Sequence, residues 1–198
     1  MVNQHIILLN GPPGSGKDTA ARFLKNHFTA RSIDAKVMKF AEPLKNAVHA
    51  MYGLDVPHTY FEAVKNEFCA QMMGNVPRSE YIGLSEEYVK PRYGNDFWAR
   101  ALAQKIKDSG AKVAIVSDCG FQPEVTTMGI EFLPANVCVI QLEREGKTFE
   151  GDSRAYVNHV MQSLIFNNGT LTDLEHEMHA LATATIRQWG LSKEADAA

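Results

Sequence analysis

The stretch Ile7 to Leu24 reads ILLNGPPGSGKDTAARFL: an apolar run, a glycine-rich turn, a lysine and the start of a helical pattern. Within it, Gly11-Pro12-Pro13-Gly14-Ser15-Gly16-Lys17 fills the spacing G-x-x-x-x-G-K. Glycines at these positions let successive backbone N–H groups turn inward around phosphate oxygens. A helix starting at the lysine adds unpaired N–H groups and its positive dipole end. Lys17 then reaches the β- and γ-phosphates of a nucleotide. The pattern usually closes with Ser or Thr as a Mg²⁺ ligand, but here Asp18 holds that position and Thr19 follows. A carboxylate beside polyphosphate is repulsive unless a cation lies between them. Asp18 therefore either helps hold Mg²⁺, directly or through water, or turns away to cap the first helical turn. Thr19 is a candidate for the metal or for a phosphate oxygen.

The second half of such a site is an acid at the end of a neighbouring strand. VAIVSD supplies Asp118, placed to anchor metal water or polarise an acceptor. Val76–Trp98 is dense in Arg, Lys, Tyr and carboxylates. In it, Arg78, Lys90 and Arg92 are candidates for an acceptor phosphate, since guanidinium and ammonium groups suit that anion. Tyr88, Tyr93, Phe97 and Trp98 are candidates for stacking on a base. Glu42, in FAEPLK, is a candidate for orienting the acceptor. Arg144 and Arg154 are candidates for bringing positive charge to the transferring group.

Four apolar runs supply the strands that would position these groups: His5–Asn10, Ala35–Phe40, Lys112–Asp118 and Asn136–Leu142, with Ser163–Asn168 as a fifth. Near-continuous apolar strands fit a parallel sheet covered on both faces. Helical patterns alternate with them: DTAARFLKNHF, EPLKNAVHAMYG, DFWARALAQKIKDSG and TLTDLEHEMHALATATIRQWG. The third shows Phe97, Ala101, Leu102 and Ile106 on one face. The fourth shows a stripe of Leu171, Leu174, Met178, Leu181 and Trp189, with Thr170 as N-cap and Gly190 at its end. The alternation predicts a doubly wound α/β fold around a parallel sheet. Residues from about 55 to 96 show no strand signal and read as a helical insertion on the edge where ligands bind in such folds. Residues of about 144–160 read as a short lid, and SKEADAA as a frayed tail.

A length of 198 residues, 45% of them hydrophobic, suits one globular domain over 1–198. A net charge of −3 argues against a global basic field for gripping nucleic acid, while leaving local patches open. No run is long and apolar enough for a transmembrane helix, so no membrane partner is expected. The first residues lack a signal-peptide pattern. Cys69, Cys119 and Cys138, without metal-type spacing, read as reduced, packed thiols of a cytosolic protein.

Taken together, NGPPGSGKDTAARFL, FAEPLKNAVHAMYG and VSDCGFQPEV resemble the phage-type deoxynucleoside monophosphate kinases, a branch of the P-loop nucleotide kinases. The Gly-Lys-Asp-Thr ending is a feature of that branch. LIFNNGTLTDLEHEM is similar to the segment that flanks the adenine in the family, which makes Asn168 an ATP-side candidate. The resemblance implies a nucleotide-kinase-like fold on a five-stranded parallel core, a helical region over the acceptor, ATP as donor, Mg²⁺, a deoxynucleotide acceptor and a cytoplasmic location, the host's if the chain is of phage origin. A homodimer is a further expectation. Two departures stand out. Family members often carry Arg two residues after the strand-end Asp, where this chain has Gly120. Asp-Ser-Arg also interrupts the lid sequence. Both lie near the expected phosphoryl group. The scaffold suits a deoxynucleoside monophosphate or, as the alternative, a hydroxymethylated pyrimidine base in phage DNA. A nucleotide-dependent switch is the third reading. The chain lacks the Asn-Lys-x-Asp motif of guanine-reading switches.

Overall fold

The computed structural model describes residues 3–191. Its centre is a five-stranded sheet of β1 (His5–Asn10), β2 (Ala35–Met38), β3 (Val113–Cys119), β4 (Val137–Glu143) and β5 (Gln162–Phe166). The strand order is β2-β3-β1-β4-β5, and every pairing is parallel. The expected doubly wound α/β architecture is therefore present.

Side-chain parity splits the sheet residues between two cores. Ile7, Leu9, Val113, Ile115, Ile140 and Leu142 face one way, toward Ala20, Leu24, Phe28, Met178 and Ala182. These come from α1 (Lys17–Thr29) and α7 (Leu171–Gln188). Ile6, Leu8, Ala114, Val116, Val137 and Val139 face the other way, toward Leu102, Ile106, Val125 and Met128. These come from α5 (Phe97–Ser109) and α6 (Gln122–Phe132). Burial of both faces is why the strands read as continuous apolar runs rather than alternating ones.

The boundaries differ from the sequence reading at several points. β2 stops at Met38 rather than Phe40, because the backbone N–H groups of Phe40 and Ala41 donate to Asp118 and turn the chain into α2 (Ala41–Met51). β5 ends before Asn167, whose side chain turns to the glycine loop. On α7, Leu171 is 59% exposed, and the buried stripe is Leu174, Met178, Ala182 and Ile186. On α5, the buried positions are Ala99, Leu102, Ala103 and Ile106, while Phe97 and Ala101 are only partly covered. Thr170 does cap α7: its hydroxyl accepts the Asp173 N–H at 3.2 Å, and the Asp173 carboxylate accepts the Thr170 N–H at 2.7 Å. The SKEADAA tail lies outside the described residues.

The insertion after α2 is helical only in its second half. Residues 55–76 are turns, with one 3₁₀ turn at Ala70–Met72 and a bridge between Cys69 and Asn75. From Pro77 the chain runs through α3 (Pro77–Ile82), a π-helical stretch over Gly83–Val89 and α4 (Lys90–Tyr93). The insertion has its own small core of Phe61, Cys69, Met72 and Tyr81, closed against Val48 of α2. Cys69, Cys119 and Cys138 are free thiols. Among the described residues no helix is long and apolar enough to cross a membrane.

Candidate active site

The glycine loop runs from the end of β1 into α1 at the carboxyl edge of the sheet. Gly16 turns the chain into the helix with φ 101°, a conformation that side-chain-bearing residues rarely adopt, and a Cβ there would strike the Asn167 amide. Asn167 donates to Ser15 O at 2.8 Å, so it fastens the loop from β5. Asn10, fully buried, donates to Cys119 O and Ala155 O, each at 3.0 Å, and accepts the Val157 N–H at 3.1 Å. One side chain thus locks the loop's base to the end of β3 and to the 144–160 connection.

Lys17 lies under the loop, with Nζ donating to Gly11 O at 2.6 Å and Pro12 O at 2.7 Å. Burial, and then the nearby Arg154 guanidinium, lower its pKa to about 8. Two carbonyls are modest partners for a buried ammonium, and an anion beside it would be a stronger one. On the loop's outer side, Arg144 Nη1 approaches Gly14 O at 3.4 Å.

Asp18 does not cap its own helix. Its Oδ1 accepts from Lys39 Nζ at 2.8 Å and from Ser117 Oγ at 2.9 Å, linking α1 to the ends of β2 and β3. Burial alone would raise its pKa, but these two hydrogen bonds outweigh that and hold the carboxyl below its usual range. Thr19 follows, partly buried. Among the described residues there is no cluster of three or more His, Cys, Asp or Glu that could hold a metal. The hard oxygens of Asp18 and Thr19 beside a phosphate loop do fit Mg²⁺, which is commonly held by one or two carboxylates together with substrate phosphates. Asp118, the third metal candidate, is already engaged. Its two oxygens accept the Phe40 and Ala41 N–H groups at 2.7 and 3.0 Å. Burial raises its pKa against the pull of those bonds.

Arg154 crosses directly over Gly120. A Cβ at Gly120 would stand 2.5 Å from the Cγ and Cδ of Arg154. The residue type at 120 therefore has a steric cause: the stem of Arg154 occupies the room that a side chain would need. Asp152 grips the guanidinium through hydrogen bonds of 2.9 and 2.5 Å. That contact lowers the Asp152 pKa to about 2. Glu124 closes the same corner, accepting the Gly120 and Phe121 N–H groups at 2.9 and 3.0 Å. Burial pushes its pKa up to about 8.

Two clefts flank this centre. One, of about 330 Å³, is walled by Arg144, Lys147, Phe149, Tyr156 and Asn168. The other, of about 360 Å³, has aromatic walls of Phe40, Tyr81, Trp98 and Phe121, polar groups from Ser85, Asn95, Glu86 and Lys90, and Asp118, Glu124 and Arg154 along its lining. Trp98 is fixed by a 3.1 Å bond from Nε1 to Ser85 Oγ. Lys90 pairs with Glu86 at 2.6 Å and sits 5.4 Å from the Phe121 ring centre.

Of the five acceptor candidates, Lys90 and Trp98 line this second cleft and three do not. Glu42 is taken up by Lys105 at 2.5 Å and His58 at 3.3 Å and does not itself line the cleft, while Ala41 and Leu44 do. Arg92 folds back over the Tyr88 ring at 4.0 Å. Arg78 is exposed and does not line the cleft, but its charge reaches Asp152, the partner of Arg154. Asn168 lines the first cleft, where its Oδ1 accepts the Glu145 N–H at 2.7 Å. The sequence reading did not single out Asn10, Lys39, Ser117, Glu124 or Asn167. An Asn ending β1 and a second Asn beside Asn168 were visible signals. Nothing local marked Lys39 or Glu124.

No family description and no curated protein matches the chain. Solved structures do. A protein designated APE1195 is similar at a TM-score of 0.53 and 12% identity, over 94% of this chain and 98% of that one. At that identity the likeness is one of fold. Weaker likenesses, each at a TM-score of 0.49, are to a sugar kinase from Janibacter sp. (14% identity, 94% of this chain and 97% of that one) and a gluconokinase from Sinorhizobium meliloti (10% identity, 98% and 99%).

Proposed function

We propose that this chain is an ATP-dependent phosphotransferase. The observation that carries the reading is the glycine loop with Lys17 beneath it, bordered by an Arg144-lined cleft whose arginine reaches Gly14 O and by an aromatic-walled cleft lined by Asp118 and Arg154, whose charges act on Lys17. The triphosphate lies in the loop's N–H groups, the adenine in the cleft of Phe149, Tyr156 and Asn168. The acceptor ring lies in the cleft of Trp98 and Phe121, where aromatic faces favour a flat heterocycle. Asp18 and Thr19 would hold Mg²⁺, which when bound neutralises phosphate charge. Lys17 and Arg154 stabilise the charge on the transferring group.

The acceptor cleft favours a hydroxyl over a monophosphate. A monophosphate needs several cations to hold two phosphates together against their repulsion, yet Arg78 and Arg92 do not line the cleft and Lys90 already has a carboxylate partner, which leaves Arg154 alone for the transferring group. A hydroxyl needs a proton acceptor instead. Asp118 lines the cleft, and its carboxylate, which holds the Phe40 and Ala41 N–H groups with one lone pair on each oxygen, keeps the others for that proton. In the step, the acceptor oxygen bonds to the γ-phosphorus, the bond to the β-phosphate oxygen breaks, and the hydroxyl proton passes to Asp118. A hydroxymethylated pyrimidine combines the flat ring and the hydroxyl, and DNA bearing it is the acceptor we favour. The deoxynucleoside monophosphate is the second reading, supported by the aromatic walls alone. A screen with γ-labelled ATP against deoxynucleoside monophosphates and hydroxymethylated DNA separates them. Label in DNA is expected. Label only in free nucleotide overturns the hydroxyl reading, and no transfer to any acceptor overturns the kinase.

A further inference from the structure

Asp18 raises a problem of charge. It follows the lysine of a loop shaped for polyphosphate, and a carboxylate within 4 Å of a phosphate charge is repelled by about 1–4 kcal/mol, depending on solvent exposure. The chain carries a cation at that spot. Lys39, on the two-residue link between β2 and α2, places Nζ 2.8 Å from Asp18 Oδ1, the same oxygen that accepts the Ser117 hydroxyl at 2.9 Å. Helix α1, the link after β2 and strand β3 thus meet at one carboxylate oxygen. The pair is a poor stabilising device. The Asp18 side chain is 74% exposed and that of Lys39 29% exposed, and pairs so open to water contribute about 0–1 kcal/mol. The ion pair makes better sense as charge control at the rim of the loop.

We propose that Lys39 is a positioning residue for the nucleotide. It holds Asp18 toward Ser117 and supplies the counter-charge that lets a carboxylate stand beside polyphosphate. The inference rests on the nucleotide reading of the loop. It adds that the loop accepts polyphosphate before any metal is present. Lys39 acts through Asp18, so removing Lys39 exposes the carboxylate, and removing both charges restores the balance.

The test is calorimetric titration of the full chain with ADP in EDTA, for wild type, K39M, D18S and the K39M/D18S double variant. K39M is expected to weaken metal-free ADP binding by about tenfold, the scale of one partly screened charge contact. D18S tightens it. The double variant returns to within about twofold of wild type, because the two residues are in contact and their opposite charges leave together. A K39M protein that binds metal-free ADP like wild type overturns the inference alone. So does a double variant as weak as K39M, because Lys39 would then be touching phosphate itself. Wild type that binds no ADP removes the nucleotide reading, and the inference with it.

Discussion

Gly120→Ala adds one methyl group at the point where the 144–160 connection crosses β3. The backbone there does not require glycine, since Gly120 is not among the glycines of positive φ. The cost is therefore steric. The new Cβ would stand 2.5 Å from the Cγ and Cδ of Arg154 and 2.7 Å from its Cβ. An arginine tip could swing aside, but Cβ is fixed to its backbone. That backbone is tied in turn by the Ala155 N–H to Gly120 O bond of 3.0 Å. Relief must move the chain around 154 and strain the Asp152 clamp. Overpacking of this kind costs about 1–3 kcal/mol. In a chain of this size each kcal/mol lowers Tm by about 2–4 °C, so Tm should fall by about 2–12 °C. Displacing the guanidinium by about 1 Å should also lower kcat by about a hundredfold. Thermal unfolding and phosphotransfer are measured for G120A, R154A and the double variant. Shortening Arg154 to alanine removes the Cγ and Cδ contacts and leaves only the one to Cβ at 2.7 Å, so G120A should cost less in the R154A background than in the wild type. The reasoning is refuted if G120A unfolds at the wild-type temperature, or if it costs as much without the arginine as with it.

Lys17→Ala should leave Tm nearly unchanged and slow turnover by at least about a hundredfold, and near-normal turnover would remove the loop assignment. Asn10→Ala strands the Val157 N–H and two carbonyls, at about 1–3 kcal/mol for each group left unsatisfied. Its chemical denaturation midpoint should therefore fall well below that of Asn167→Ala, which loses a single loop bond. Glu124 has a folded pKa of about 8 against an ordinary 4.5, so the folded state binds the extra proton between those values. Its contribution to stability is full below about pH 4.5 and is lost as pH rises through about 8. Glu124→Gln should flatten that decline, and an unchanged pH slope of stability would show that the carboxyl is ionised when folded.

The sheet was legible because its strands are buried on both faces. Val113–Val116 and Val137–Ile140 are apolar at every position, which a half-exposed strand would not be. The glycine loop was legible because its backbone demands glycine whatever surrounds it. The acceptor side was not, and the reason is helical phase. Between Arg78 and Arg92 the chain passes through the π-helical stretch Gly83–Val89, whose wider turns rotate later side chains off a 3.6-residue pattern. Lys90 consequently meets the cleft while Arg92 turns back onto Tyr88. Glu42 pairs with Lys105, 63 residues away on α5, a partner beyond any local signal. Asn167 and Asn168 leave the end of β5 on opposite sides, so one fastens the loop and the other lines the cleft. Helix α6 drew no assignment because PEVTTMG mixes β-branched residues and glycine, and packing on β1 and β4 overrides that weak propensity.

Phosphorus NMR of the product formed from ATP and the acceptor tests the central claim most directly, because it identifies the oxygen that was attacked. Transfer to a hydroxyl gives a phosphomonoester, a single resonance that shifts as its second ionisation titrates near neutral pH. Transfer to a monophosphate gives a phosphoanhydride, seen as two coupled doublets. The account predicts the single titrating resonance on hydroxymethylated DNA with the wild-type chain and its absence with Lys17→Ala. Coupled doublets from a deoxynucleoside monophosphate, with no monoester on DNA, would contradict it.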